Sequence, residues 1–234
     1  MLLSLLFSSK NVFMDKKLKG RALRIVKLLK KAYPDAKCAL VHKNPLELLV
    51  ATILSAQCTD VRVNIVTKEL FQKYRTAENY ANANLEKFEQ EIRSTGFYRN
   101  KAKNIIGAAK LLVERCGGKV PPEMDVLTEL PGVARKTANV VLGTAFGIAS
   151  GVVVDTHVHR ISHLLRITEK DDPNKIEQDL MTLIPQSEWI HFSHAVIWHG
   201  RRVCIANRPK CGECVLAKEC PTGKEIIDTL KGKR

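Results

Sequence analysis

Apolar residues recur along the chain with the spacing of amphipathic helices. Near the amino terminus they follow one another at intervals of three and four, with lysine and arginine between them: Leu18, Ala22, Ile25 and Leu29. This period places the apolar side chains on one face of a helix and the basic side chains on the other. We expect residues 1–13 to form a disordered extension before this helix.

Further helices are predicted along the rest of the chain. The segment Asn44-Pro45-Leu46-Glu47 has the capping Asn, the early Pro and the Glu that are typical of a helix start. The helix that follows, over residues 46–56, is apolar on nearly every side and is therefore predicted to be buried. Other helices are expected near 60–74, 84–95, 99–115, 125–130, 135–146, 156–166, 173–184 and 188–199. Glycines at five positions predict helix ends: Gly96, Gly117, Gly118, Gly132 and Gly200.

Strand signals are almost absent. The run Val152-Val153-Val154 is too short to build a sheet, and no segment alternates between apolar and polar residues. No internal repeat or low-complexity segment interrupts the helical pattern. The sequence therefore predicts an all-α protein.

Composition and charge narrow the function classes. The 234 residues are 45% hydrophobic, which suits a globular protein, and no apolar run approaches the ~20 residues that span a bilayer. The net charge is +14. Residues 1–44 contribute +9 of it and residues 199–234 contribute +5, while the middle of the chain is neutral. Both ends are predicted to build one basic surface for a polyanion, most often nucleic acid.

Four of the seven cysteines form a cluster with the spacing Cys-x6-Cys-x2-Cys-x5-Cys: Cys204, Cys211, Cys214 and Cys220. No convincing signal peptide precedes them, so a reducing compartment and a metal site are favoured over disulfides. Zinc and an iron–sulfur cluster both accept four thiolates, and the spacing alone leaves both open. The loop that the metal would close carries Arg208 and Lys210, which suit phosphate contacts.

A second candidate site is the turn Leu130-Pro131-Gly132-Val133-Ala134 between two helices. Pro and Gly permit a tight reversal, and the amide groups that begin the second helix form an anion site suited to a DNA phosphate. Lys136 follows at the start of that helix, where the partial positive charge of the helix end disfavours an ammonium group. A neutral amine there is a nucleophile able to form a Schiff base.

Asp155 follows the valine run and begins another predicted helix. It is suited to cap that helix, and a carboxylate there could also stabilise a developing sugar cation. His157 and His159 are two residues apart and so point to nearly opposite sides of the predicted helix. His191 and His194 could share a helix face but have no obvious acidic or third histidine partner. We therefore expect structural or solvent roles for all seven histidines.

The motifs together closely resemble those of the bacterial endonuclease III family, DNA glycosylase/lyases of the helix-hairpin-helix superfamily. The resemblance covers residues 20–222 and rests on the segment 130–138, on Val154-Asp155-Thr156-His157 and on the four cysteines. The segments Leu54-Ser55-Ala56-Gln57 and Gly96-Phe97-Tyr98 also look like DNA-facing loops of that family.

The resemblance implies two helical domains with a DNA-binding cleft between them. A six-helix domain over 39–148 would carry the helix-hairpin-helix motif. Residues 1–38 and 149–234 would form a second domain that holds a [4Fe–4S] cluster on the four cysteines. Both basic ends of the chain would then lie in the cluster domain.

The resemblance also implies site residues. Lys136 would attack C1′ of the damaged nucleotide and Asp155 would be the catalytic carboxylate, while Gln57 and Phe97 would fill the gap left by the flipped nucleotide. Gly132 and Ala134 of the hairpin would contact phosphate. Ala134 stands where the family often has Gly, and Phe97 where an aliphatic residue is common.

The implied function is base excision repair: removal of oxidised pyrimidines from duplex DNA, followed by strand cutting through a lysine Schiff base at damaged or abasic sites. The implied protein is a monomer in the bacterial cytoplasm, associated with the nucleoid. Alternatives are a monofunctional mismatch glycosylase, a non-catalytic iron–sulfur DNA-binding protein and an electron carrier. The presence of both Lys136 and Asp155 favours the bifunctional enzyme.

Overall fold

The computed structural model describes the backbone of residues 2–231 and the side chains of residues 16–229 and 231. It divides into two compact units: residues 38–150 form one, and residues 1–37 with 151–234 form the other. We call them the hairpin unit and the cysteine unit. Among the described residues twelve α-helices and three short 3-10 turns are present and no strand, which confirms the predicted all-α class.

The hairpin unit contains seven helices: α2 (Pro45–Leu54), α3 (Asp60–Lys73), α4 (Ala77–Ala81), α5 (Leu85–Glu91), α6 (Tyr98–Cys116), α7 (Met124–Thr128) and α8 (Arg135–Phe146). The start of α2 follows the sequence prediction, because the Asn44 side chain accepts a hydrogen bond from the Glu47 amide at 2.9 Å. Leu48 and Leu54 on that helix are fully buried. They belong to one core with residues of the other six helices, so the apolar pattern of 46–56 is explained.

The cysteine unit contains the remaining five helices: α1 (Leu2–Ala32), α9 (Thr156–Leu164), α10 (Pro173–Leu183), α11 (Trp189–Arg202) and α12 (Pro221–Lys231). Ile25 and Leu29 of α1 are buried, as the period of that helix predicts. They share the unit with buried residues of α9, α10 and α11, among them Val158, Leu180 and Phe192.

Arg21 anchors α1 to the carboxy-terminal half of the chain. Its guanidinium donates hydrogen bonds to the backbone carbonyls of Leu165 at 2.5 Å, Arg166 at 2.8 Å and Glu219 at 3.0 Å. Arg24 pairs with the Glu219 carboxylate at 2.9 Å. Two of the basic residues of α1 therefore hold the cysteine unit together. The distribution of net charge along the sequence did not indicate this role.

Several details of the predicted secondary structure are wrong. The first helix begins at Leu2, because no Gly or Pro precedes Gly20, so residues 2–13 are helical and not a disordered extension. Gly200 does not end a helix, since α11 continues to Arg202 and uses this glycine as a packing position. Two helices are absent from the prediction: α4, of five residues, and α12, of 11 residues. No described helix is both long and apolar enough for a membrane span.

Candidate functional site

The hairpin joins α7 to α8 through a turn that only glycine fits. Gly132 has a φ of 77°, and a Cβ there would lie 2.8 Å from the Asn104 side chain on α6. The Val133 amide donates to the Leu130 carbonyl at 3.0 Å and closes the turn. Gly132 is therefore required both by its backbone conformation and by the close approach to α6.

The amino terminus of α8 has no side-chain cap. Ala134 is the capping residue, with an extended backbone and no polar atom to accept hydrogen bonds from the first turn. Ala138, one turn later, is fully buried and fixes that end of the helix in the core. Lys136 lies on this first turn and is exposed. An uncapped helix start beside an exposed amine is a suitable site for an anion.

Two exposed loops of the same unit contain strained residues. Gln57, after α2, has a φ of 52°, and Phe97, before α6, has a φ of 48°. Few residues other than glycine adopt this conformation, and its cost is of order 1–3 kcal/mol. Phe97 is 64% exposed, although an aromatic ring of this size is usually buried. Such strain is common where residues are held ready for a ligand.

The buried side chain of Lys101 links these two loops. Its ammonium group is buried and donates hydrogen bonds to the carbonyl of Leu54 and to that of Thr95, both at 2.8 Å. Leu54 is three residues before Gln57, and Thr95 is two residues before Phe97. Burial lowers the pKa of Lys101. One side chain thus fixes the spacing of the two strained loops.

Replacing Lys101 with Met should destabilise the protein by about 2–6 kcal/mol. Met keeps the apolar stem, but two buried carbonyls lose their donor, at about 1–3 kcal/mol each. Denaturant unfolding followed by circular dichroism measures the change. Lys103→Met, at an exposed position of the same helix, is the matched control and should leave stability almost unchanged. Equal stabilities of the two variants would contradict this role.

Asp155 begins α9 in the cysteine unit. Its Oδ1 accepts hydrogen bonds from the amides of His157 at 2.9 Å and Val158 at 2.8 Å, so it caps the helix. The second carboxylate oxygen forms no hydrogen bond among the described residues. The residue is half-buried after an apolar segment that the Ser193 hydroxyl fixes through the Val153 amide at 3.0 Å. Oδ1 therefore caps the helix, and the second oxygen takes no part in the cap.

The four cysteines of the cluster line one apolar cavity of the cysteine unit, between α9, α11 and α12. All four are half-buried free thiols. The Gly223 amide donates to the Cys220 sulfur at 3.2 Å, and a ring nitrogen of His199 lies 3.5 Å from the Cys214 sulfur. The other ring nitrogen of His199 is 2.9 Å from the buried Tyr33 hydroxyl.

Burial keeps these thiols protonated unless a metal displaces their protons. Burial raises the pKa of Cys214 to about 11 and also raises the pKa values of Cys204 and Cys211. Protonated thiols are poor ligands, and a metal must displace their protons on binding. Four sulfurs around one apolar cavity, with no disulfide among them, match the donor set of zinc or of an iron–sulfur cluster.

The loop between the first two of these cysteines exposes Arg208 and Lys210. The Lys210 amide donates to the Val203 carbonyl at 3.0 Å, and the Arg208 amide donates to the Ile205 carbonyl at 3.3 Å. The backbone of the loop is therefore fixed while both basic side chains stay in solvent.

The predicted site residues are thus divided between the two units. Gln57, Phe97, Gly132 and Lys136 are in the hairpin unit, and Asp155 and the four cysteines are in the cysteine unit. Sequence reasoning missed Lys101, yet a signal for it exists. Lys101 precedes Ile105 by four residues and so occupies the buried face of α6.

Comparisons with known proteins agree with this geometry. The model of the HhH-GPD superfamily of base excision DNA repair proteins matches residues 50–186. Endonuclease III of Synechocystis sp. is 57% identical over 206 residues, which are 88% of this chain and 94% of that protein. A solved non-covalent endonuclease III–DNA complex has a TM-score of 0.85 at 47% identity, and the match covers 90% of this chain and 98% of that one. A trapped endonuclease III–DNA covalent intermediate also has a TM-score of 0.85 at 47% identity, covering 89% and 98%.

The helical fold and the hairpin, together with the family match, define a base excision repair enzyme of the helix-hairpin-helix class, a DNA glycosylase with lyase activity. The predicted class of enzyme is therefore confirmed. Within that superfamily, the chain belongs to the endonuclease III family.

Proposed function

We propose that this protein removes oxidised pyrimidines from duplex DNA and then cuts the strand, with Lys136 as the nucleophile. The Lys136 amine attacks C1′ of the damaged nucleotide, the glycosidic bond breaks, and its electron pair leaves with the base. Nζ then gives up one proton, the C1′–O4′ bond breaks with its electron pair and a proton going to O4′, and a protonated C=N bond joins Nζ to C1′. Loss of a proton from C2′ then expels the 3′ phosphate by β-elimination.

The observation that carries this proposal is the position of Lys136. It is an exposed amine on the first turn of a helix whose capping residue, Ala134, offers no side-chain acceptor. A DNA phosphate at the hairpin would bring the sugar within reach of the amine. The trapped covalent complex of a related endonuclease III supports an enzyme that forms a bond to its DNA.

Asp155 is proposed as the carboxylate that stabilises positive charge on the sugar during base loss. Its Oδ1 is engaged by two backbone amides, so the side chain cannot rotate freely. A fixed carboxylate acts without reorganising during the reaction, which makes its electrostatic effect large.

The remaining contacts to DNA follow from the two loops and the hairpin. We assign phosphate binding to the turn at Gly132 and Ala134. Gln57 and Phe97 would enter the duplex where the damaged nucleotide leaves, since both are exposed and held in a strained backbone. Flipping a nucleotide costs a few kcal/mol, and damaged pairs resist less. The monomeric state and the nucleoid location stay predictions.

The four cysteines are proposed to hold a [4Fe–4S] cluster. Cys204, Cys211, Cys214 and Cys220 supply four sulfurs around one apolar cavity, as such a cluster requires. When bound, the cluster serves to cross-link the carboxy-terminal loops.

Replacing Cys211 with Ser should abolish the cluster. The purified wild type should contain about four iron atoms per chain and be brown, whereas the variant should lose most of its iron. Elemental analysis of anaerobically purified protein measures this. Cys116→Ser, at a half-buried cysteine of the hairpin unit, is the control and should retain iron. A colourless wild type whose zinc is bound by sulfur would disprove the assignment.

The loop that carries Arg208 and Lys210 should contribute to the salt dependence of DNA binding. Replacing both Arg208 and Lys210 with Ala should reduce the slope of log affinity against log salt by roughly 2. Titration of undamaged duplex at several salt concentrations measures the slope. The double variant Lys87→Ala with Lys119→Ala removes the same charge from exposed positions of the hairpin unit and should change the slope less. Equal slopes for the loop variant and the wild type would place the loop away from DNA.

A further inference from the structure

A second group of potential metal ligands lies on the cysteine unit, outside both sites described above. His159 and His163 are one turn apart on α9, and their rings are 4.7 Å apart. Asp171, in the segment between α9 and α10, lies beside them. One ligand atom of each residue can be chosen so that all three atoms lie within 4.8 Å of one another. Small side-chain rotations would bring such donors around one ion.

The fold brings Asp171 back to α9. After that helix the chain reverses at Arg166, which has a φ of 50°, and the Ile167 amide donates to the Ser162 carbonyl at 3.1 Å. Thr168 then accepts from the Lys170 amide at 3.1 Å and donates to Asp179 at 2.6 Å. The segment before Asp171 is therefore ordered by its own hydrogen bonds.

The ring of His163 has an arrangement that a cation would resolve. Its Nδ1 lies 2.9 Å from the His159 carbonyl, which can only accept, so Nδ1 carries the proton. The lone pair of the neutral ring is then on Nε2, a buried atom with no hydrogen-bond partner. This atom faces the Asp171 carboxylate at 3.4 Å. Two acceptors therefore face each other, with space for a positive charge between them.

His159 is oriented by a similar contact. Its Nε2 lies 3.1 Å from the Asp171 carbonyl, so this nitrogen donates and the other carries the lone pair. Metal-binding histidines usually donate their second ring N–H to a carbonyl or a carboxylate in this way. The ring of His163 has such an outer hydrogen bond through Nδ1, and the contact of His159 holds its ring beside Asp171.

We propose that His159, His163 and Asp171 bind a divalent transition-metal ion of the Zn²⁺ type. Two imidazoles and a carboxylate form a mixed nitrogen and oxygen donor set that suits zinc, with water in the fourth position. Asp171 is 93% exposed, so solvent can reach that position. A proton on His163 is the competing explanation for the contact between its Nε2 and Asp171 at 3.4 Å. The ion would fix the segment before α10 to the helix that Asp155 begins.

The test uses the full-length protein with its cluster in place, and Zn²⁺ as the probe. One equivalent of zinc should bind while the iron content stays constant. Zinc X-ray absorption should report nitrogen and oxygen neighbours at about 2.0–2.2 Å. Sulfur neighbours at about 2.3 Å would mean binding to the cysteines and would overturn the proposal.

Two ligand variants and one control complete the experiment. His163→Gln and Asp171→Asn should each weaken zinc binding by about 10-fold or more in competition with a fluorescent chelator. Glu169→Gln removes an exposed carboxylate from the same segment and should leave the affinity unchanged. Equal affinity in all four proteins, or no zinc bound by the wild type, would leave a protonated His163–Asp171 ion pair as the explanation and exclude the metal site.

Discussion

Lys136→Gln should abolish covalent trapping of the protein on damaged DNA. Borohydride reduces an imine to a stable bond, so the wild type should become joined to a duplex that contains thymine glycol. Gln has similar length and polarity but no nucleophilic amine. Trapping should disappear and strand cutting should fall by roughly 10³-fold or more, while folding and duplex binding are little changed. Gel electrophoresis of the borohydride-treated mixtures measures the trapped protein–DNA complex, and electrophoresis of untreated mixtures measures the cut strand.

The control for this experiment is Lys110→Gln, which removes an exposed lysine of the hairpin unit from α6. It should trap as well as the wild type. If Lys136→Gln still traps, another amine is the nucleophile. If the wild type releases the base but never traps, the enzyme is a monofunctional glycosylase. If the wild type binds DNA but neither releases the base nor becomes trapped, it is a non-catalytic DNA-binding protein.

Asp155→Asn should slow base removal by roughly 10²–10³-fold, the usual effect of removing a preorganised electrostatic group. Asn caps helices about as well as Asp, so α9 should still form. The loss should therefore appear in the rate of base release under single-turnover conditions, with little change in affinity for the duplex.

Asp172→Asn provides a matched control, because Asp172 caps α10 with the same geometry. Its Oδ1 accepts from the amides of Asn174 and Lys175, both at 3.0 Å. The two variants should have the same stability, and only Asp155→Asn should release the damaged base slowly. A rate equal to the wild type in Asp155→Asn would limit this residue to a capping role.

A helix was predictable from the sequence where a single local signal, such as a cap or an apolar period, is strong enough to specify it. The start of α2 required only Asn44, Pro45 and Glu47, and the buried face of α1 required only its apolar period. Helix α4 was missed although Thr76 and Asn79 form a capping box around it. Five residues are too few to develop a visible period, so only the cap marks such a helix.

Lys136, Asp155 and the four cysteines are recognisable as candidates because chemistry restricts their residue types and spacing, and their roles stay predictions. The strained backbone at Gln57 and Phe97 was not predictable, since a positive φ in these residues is imposed by the surrounding fold. The buried position of Lys101 was visible in the period of α6, but its two carbonyl partners depend on tertiary structure.

The histidines show the same limit. The two-residue spacing of His157 and His159 predicts nearly opposite sides of a helix, and hence only structural or solvent roles for these side chains. The pair at positions 159 and 163 shares a helix face by spacing alone. Asp171 joins that pair only because the chain reverses at Arg166, a residue without the usual sequence signature of a left-handed turn.

The anchoring of α1 by Arg21 has a consequence for biosynthesis. Glu219, one of its partners, is 198 positions further along the chain, so roughly 10–40 s of translation separate the two residues at 5–20 residues per second. The whole hairpin unit leaves the ribosome in that interval and can fold from contacts within one continuous segment. The first helix packs against α10 and α11, which are made only after the hairpin unit, so its apolar face stays uncovered while the hairpin unit folds.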